Sequence, residues 1–426
     1  MAYFARIGRS TLARYLAALE YSDFRKMWLA NLSAQAAAWA LIVARGWLVF
    51  QKTDSSAWVG IVTFAAMGPL FFVPPFAGVL ADRVNRKTIL QWTYIVNLIH
   101  NLALALLALS GFLQLWHLVA LSLVNGAARA VQMPTSQALA ANLVPPARLL
   151  NALSLNAATL HASRLVGPGL ATPLLATLGA PAAFFLCTGF YAIGLIQIMG
   201  IKTRSVGGIR VGESFVRNFV EGLSYVGGHT FIRMVIIMVL FHCGLTMAFE
   251  TLLPGFAAYQ LNAGATGFGT LMMAVGAGAL VGSLFIGGIE SPLARGRLYL
   301  LMGLLSGLGQ VMLAFMPTMG AAIAAAAIMG GTQAAFMTLS QAITQTLADD
   351  EFRGRVASIN TFSLGGVMSV MGLFNGFLGG QFSPAAILLV QGLLYTAIVL
   401  FSVGFATPRS VYLKGTPTEA PVPSAS

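Results

Sequence analysis

Apolar stretches of about twenty residues recur along this chain, and no other feature constrains its fold as strongly. A hydrocarbon layer ~30 Å thick is crossed by about 20 apolar residues in an α-helix. Twelve such runs are predicted, at 27–50, 58–80, 89–111, 115–139, 153–178 and 180–200, then at 231–256, 268–289, 298–317, 319–344, 358–380 and 384–407. Across the 426 residues 58% are hydrophobic and 8% charged, whereas a soluble domain carries roughly 25% charged residues. A water-soluble fold cannot bury that much apolar surface, so lipid is the solvent for most of the chain. Backbone polar groups in lipid must be satisfied internally, which leaves helices or closed barrels. The run length selects helices, and the fold class is all-α membrane protein with twelve transmembrane helices. Pro69, Pro74, Pro75, Pro134 and Pro168 fall inside runs, where neighbouring membrane helices can re-satisfy the freed backbone groups.

The net charge is +12 with a pI near 10.2, which in a soluble chain would suggest nucleic acid. The placement of the charges says otherwise. Twenty of the 24 Lys and Arg residues lie at the termini or in the even-numbered loops between runs, and Lys52 stands alone in the odd ones. By the positive-inside rule both termini are cytoplasmic. The basic balance then reports topology and contact with membrane lipids, with no nucleic-acid partner. Trp28, Trp58 and Trp116 sit near run ends, where interfacial belts form. Cys187 and Cys243 are the two cysteines, both inside apolar runs and without metal-ligand spacing. No metal, no cofactor and no enzymatic activity is expected. No GxxxxGK[ST] phosphate loop occurs either.

The runs organise into five segments. These are a cytoplasmic N-terminal segment (1–26), a six-helix bundle (27–200), a central cytoplasmic loop (201–230), a second six-helix bundle (231–407) and a disordered cytoplasmic tail (408–426). Within the central loop Phe215, Val216, Phe219, Val220, Leu223 and Val226 recur at helical spacing, as in an interfacial helix. The tail is rich in Pro, Ser and Thr. The bundles repeat one another. Shifting the fourth run by 204 residues brings Gly126 onto Gly330, Met133 onto Met337, and Ser136-Gln137-Ala138 onto Ser340-Gln341-Ala342. Parallel repeats of this kind mark one transporter architecture.

Between the second and third runs, Gly78-Val-Leu-Ala-Asp82-Arg83-Val-Asn85-Arg86-Lys87 resembles the loop motif of the major facilitator superfamily, with Asn85 where that family usually has Gly. Gly46-Trp47-Leu48-Val49-Phe50, Phe219-x-Glu221-Gly222-Leu223-x-Tyr225-Val226 and Arg353-Gly354-Arg355-Val356 are similar to the branch holding the enterobactin exporter and drug:proton antiporters. The resemblance implies a secondary transporter working by alternating access, with Gly78, Asp82, Arg83, Arg86 and Lys87 as a cytoplasmic latch. The antiporter pattern of the fifth span, Gly-Pro-x-x-Gly-Gly, is half kept: Gly167-Pro168 stand, with Arg164 a turn before, but Ala171-Thr172 replace the glycine pair.

A charged group inside a span costs ~2.5–3.5 kcal/mol on insertion scales, so it marks function. Away from the run ends, Arg45, Arg129, Arg164 and Glu250 are the four such groups. Asn125, Arg129, Gln132 and Ser136 form a stripe on the fourth span, and His242, Thr246 and Glu250 form one on the seventh. Asn31, Gln35, Arg129, Gln132, Gln333 and Gln341 are the candidate cavity residues. Arg129 with Gln132 and Gln333 suits an anionic or carbonyl-rich substrate. Arg45, His242 and Glu250 are the candidates for proton coupling or gating, with Arg45 and Glu250 expected to pair near the outer mouth. The expected function is proton-coupled efflux of an amphipathic small molecule, of drug or siderophore type, by a monomer in the bacterial inner membrane. A facilitator or importer, a lipid flippase and a non-transporting receptor are the other readings of such a chain.

Overall fold

The computed structural model describes residues 17–73, 84–145, 148–205, 215–289, 291–349 and 351–415. The helices are α1 (Ser22–Thr53), α2 (Ser56–Met67), α3 (Arg86–Leu109), α4 (Leu115–Asn142), α5 (Leu149–Leu178) and α6 (Ala180–Met199). After the central loop come α7 (Phe215–Gly228), α8 (Thr230–His242), α9 (Gly264–Gly287), α10 (Pro292–Ala314), α11 (Met319–Leu347), α12 (Arg353–Phe362), α13 (Met368–Leu378), α14 (Pro384–Ser402) and α15 (Ala406–Lys414). No strand occurs among the described residues. Among the described residues, every predicted run falls on a helix or on a chain of helical turns; 74–80 of the second run lie outside them. Nine of these spans, among the described residues, are long and apolar enough to cross a membrane. The second, fourth and fifth runs fall on α2, α4 and α5.

The chain divides into two compact units, and the division does not follow the predicted bundle boundaries. One unit takes the described residues up to Arg45 together with those of 72–211; the other takes 46–71 and the described residues from 212 onward.

In the first unit α3 packs along α6 and α4. Gly194 makes the α3–α6 approach possible, because a Cβ there would lie 2.4 Å from the Tyr94 ring. Tyr94 and Tyr191 meet edge to face at 5.7 Å. At the cytoplasmic end, Asp23 accepts from the backbone N–H groups of Lys202 and Thr203 at 2.9 Å and from the Thr203 hydroxyl at 2.8 Å. Lys26 bridges Asp23 and the Gly200 carbonyl.

In the second unit the most extensive helix pair is α9 on α11. Its seam is built from residues without side-chain bulk. A Cβ on Gly278 would stand 1.8 Å from the Ala327 carbonyl oxygen, one on Gly282 2.1 Å from that of Gly331, and one on Gly330 2.2 Å from that of Val275. Lipid supplies no hydrophobic push between helices, so such backbone approach is what holds them. The outer turns of α1 belong here too: Phe50 meets Tyr259 edge to face at 5.7 Å, and the Tyr259 hydroxyl donates to Asp54. That carboxylate holds the Tyr259 phenol above its ordinary pKa. α2 lies against α13 through Gly60, Gly372 and Gly376.

The helix α7 lies in the central loop and docks on α12. Arg355 pairs with Glu221 at 3.1 Å. Tyr225 stacks on Phe352 at 4.1 Å and donates to Asp349 at 3.0 Å. The tail corrects an expectation. Residues 408–414, expected to be disordered, complete the helix α15, with Val411 and Tyr412 buried. Gly296 lets α10 come within reach of the Val411 carbonyl, and Tyr412 shares a 2.9 Å hydrogen bond with Ser402. A buried apolar pair near the start of the Pro/Ser/Thr-rich segment outweighs its composition there. Residues 416–426 lie outside the described residues.

Candidate functional site

Two buried polar networks stand out, one in each unit. The first lies on α1, α3 and α4. Arg45 is 5% exposed and donates to the Ser122 hydroxyl at 3.1 Å. Ser122, Asn125, Arg129 and Gln132 lie on one face of α4, at steps of three, four and three. Asn125 donates to the Asn97 carbonyl oxygen at 2.7 Å, and Asn97 donates to Gln132 at 3.2 Å and to the Thr93 backbone at 2.9 Å. His100 and Asn101 follow one turn on from Asn97, both buried. Neither His100 ring nitrogen, nor the Asn101 side-chain oxygen, has a hydrogen-bond partner among the described residues. Arg129 is half-buried and shares the α4 face with Ser122, to which Arg45 donates.

The second network surrounds the seventh span, which is not a regular helix. After His242 it widens to a π-turn at Cys243–Met247, tightens to a 3₁₀ turn at Ala248–Thr251, and widens again at Phe256–Gln260. Pro254 has no N–H to offer the Glu250 carbonyl four residues back, so an α-helical bond is missing there. Local changes of helix type recur at functional sites. Glu250 lies in the tightened turn and is buried. His242 meets the Thr246 hydroxyl at 2.9 Å and the Phe336 ring at 4.5 Å. Gln333 donates to the Thr246 carbonyl at 2.6 Å. Asn375 donates to the Ala248 carbonyl at 3.0 Å and is itself bonded by Gln391.

The remaining candidates fall as follows. Asn31 donates to Asn156 at 3.4 Å, Gln35 is half-buried and Gln341 is exposed. Arg164 lies over the Trp39 ring at 4.3 Å. A Cβ on Gly167 would stand 2.4 Å from the Ala36 carbonyl oxygen, and Pro168 is buried one residue on. The fifth-span motif therefore holds α5 against α1. Of the loop motif, Gly78, Asp82 and Arg83 lie outside the described residues. Arg86 donates to the Ala138 carbonyl and to the Ser205 hydroxyl, both at 3.3 Å. Lys87 donates to the carbonyls of Met199 and Ile201 at 3.0 and 2.6 Å. Lys87 thus caps the negative end of α6, Arg86 ties the last turns of α4 to Ser205, and both hold the start of the central loop.

Arg129 and Gln132 share the first network, whereas Gln333 belongs to the second unit. Arg45 is in the first unit and Glu250 in the second. Residues not singled out from the sequence, Asn97, Asn101 and Ser122, complete the first network. Their signal was present: 97, 100 and 101 follow the same three-and-four spacing that exposed the α4 stripe.

The family model for transmembrane secretion effectors, MFS_3, matches residues 13–420. The multidrug efflux pump Tap of Mycolicibacterium fortuitum is 25% identical over 367 residues, covering 84% of this chain and 88% of the pump. The staphyloferrin A transporter of Staphylococcus aureus is 22% identical over 271 residues, covering 63% of this chain and 68% of the transporter. Among solved structures, the nucleoside transporter NupG superposes with a TM-score of 0.72 at 12% identity, covering 89% of this chain and 98% of its own. A bacterial homolog of the human lysosomal transporter Spinster, inward-facing and unoccupied, superposes with a TM-score of 0.65 at 13% identity, covering 95% and 98%. At such identities the superpositions speak for the fold alone. The chain belongs to the transmembrane secretion effector family of the major facilitator superfamily, and it is a multi-pass membrane transporter.

Proposed function

We propose that this chain is a proton-coupled exporter of amphipathic small molecules, working as a monomer in the bacterial inner membrane with both termini cytoplasmic. Two six-helix halves, 27–200 and 231–407, alternate access to a chamber between them. The efflux pump and the siderophore transporter among its relatives support drug or siderophore cargo. The loop distribution of Lys and Arg supports the orientation.

The observation that carries the coupling is Glu250, the only Asp or Glu within the predicted spans. It is buried in a turn where the helix leaves α-geometry. A carboxyl so placed is the group that can take and release a proton as water reaches it from alternate sides. His242, two turns further in, shares the task. Arg86 and Lys87, with Asp82 and Arg83, form the cytoplasmic latch.

Inverted membrane vesicles with an imposed proton gradient test this reading. A panel of fluorescent drugs and siderophores is added, and collapse of the gradient is followed with a pH-sensitive dye. At least one compound dissipates the gradient saturably and accumulates inside, and Glu250→Gln abolishes both effects at equal protein level. Accumulation that persists after the gradient is discharged, or that Glu250→Gln leaves unchanged, refutes proton coupling through this residue. Movement only down the compound's own gradient identifies a facilitator instead.

A further inference from the structure

We infer that the buried network of the first unit is a binding site for an organic anion, so that the cargo is an amphiphile carrying a carboxylate or an equivalent acidic group. The inference rests on the export reading and narrows its substrate class.

The argument begins with a missing counter-charge. A guanidinium keeps its proton at neutral pH and presents five donors. Arg45 is 5% exposed, yet among the described residues its one hydrogen bond goes to a neutral hydroxyl, that of Ser122. Arg129 makes no hydrogen bond among the described residues, and neither arginine has an ion pair there. The two positive charges instead converge on one face of α4, Arg129 from the helix itself and Arg45 through Ser122. Buried charges are ordinarily paired, because taking an ion out of water costs several kcal/mol otherwise.

The first unit cannot supply that pair from its own spans. Helices α3, α4, α5 and α6 contain no Asp or Glu. The single one in α1 is Asp23, twenty-two residues before Arg45 and about 33 Å away along the helix. It is already committed to Lys202 and Thr203.

The surroundings favour an anion further. His100 is buried, and both its ring nitrogens lack a hydrogen-bond partner among the described residues. A neutral imidazole always carries one N–H to donate. The chain Asn125–Asn97–Gln132 holds the α3–α4 wall in one arrangement, so the donors are placed before any ligand arrives. A carboxylate accepts two parallel hydrogen bonds from one guanidinium, which would answer the donors these arginines carry. A cationic amphiphile would meet two like charges and no acid on helices α3 to α6. Selectivity follows from that repulsion as much as from attraction.

A matched probe set tests the inference on the full-length protein in lipid nanodiscs. The probes are 11-(dansylamino)undecanoic acid, its methyl ester, and the amine that replaces the carboxyl. Dansyl fluorescence reads their affinities. The acid is expected to bind at least about tenfold more tightly than the ester, and the amine weakest. Arg129→Gln and Arg45→Gln should each erase most of that preference, and Arg129→Lys should retain part of it. Equal affinity of acid and ester for the unaltered protein overturns the inference without need of any variant. So does an acid preference that survives both glutamine substitutions in protein that still melts cooperatively. The two proposals separate cleanly. Gradient-driven export of ester and amine as efficient as that of the acid ends this inference and leaves export standing. Arginine-dependent binding of the acid with no gradient-driven movement supports this inference and ends the export reading.

Discussion

At the scale of single residues, Asp23 shows how one carboxylate fixes a loop. Its oxygens take two backbone N–H groups and a hydroxyl of the 202–203 segment, beside Lys26. Hydrogen bonds to a charged group contribute about 1.5–3 kcal/mol each when buried, less when partly exposed. Asp23→Ala should therefore lower stability by about 1–2 kcal/mol in total, read as a lower melting temperature in detergent micelles. Asp23→Asn keeps one acceptor and should fall between. The Arg355–Glu221 pair is a contrasting case. Glu221 is 40% exposed, and Glu221→Gln should move stability by less than about 1 kcal/mol. Equal losses at Asp23 and Glu221 would show that burial does not govern these sites.

At the scale of elements, close backbone approach and broken helices do different work. On α9, Gly278 and Gly282 have the small-xxx-small spacing that lets membrane helices touch. Gly278→Ala must push α9 away from the Ala327 carbonyl. It should cost about 2–3 kcal/mol or more, seen as loss of folded protein in size-exclusion chromatography. Gly189→Ala on α6, where a Cβ meets nothing within 4 Å, should be neutral or stabilising by up to about 1 kcal/mol. The seventh span is the opposite kind of element, irregular where packing would favour a straight helix. Pro254→Ala restores an N–H within reach of the Glu250 carbonyl. The variant should melt higher and transport more slowly, since stability at a strained site is commonly gained at the expense of function. A faster variant would mean that the irregular turns are incidental.

At the scale of the whole molecule, the central loop is anchored at both ends. Its start is held by Asp23, Arg86 and Lys87, and its helix α7 by Arg355, Asp349 and Phe352. Each anchor lies within one compact unit. A reporter active only in the cytoplasm, fused after Ser426, should be active, and one active only outside should be silent. The reverse result would invert the topology on which the direction of transport depends.

The spans were legible from sequence because lipid imposes one demand everywhere: long apolar helices with their backbone bonds closed. The loop motif and the α4 stripe were legible for a similar reason, since spacing of three and four fixes a shared face whatever the neighbours do. Asn97 and Asn101 obey that rule as well, but their run carries no charged residue to mark its polar face. Three features depended on tertiary structure. The grouping of 46–71 with the second unit, the π-turns around Glu250, and the hydrogen bond from Arg45 to Ser122 on α4 all depend on segments distant in sequence. Glycine spacing marks where helices can touch but not which helix comes, and a proline marks a missing bond but not how the turn re-forms. Periodicity along one helix thus settled what each span is, and complementarity between spans settled where its polar side chains find one another.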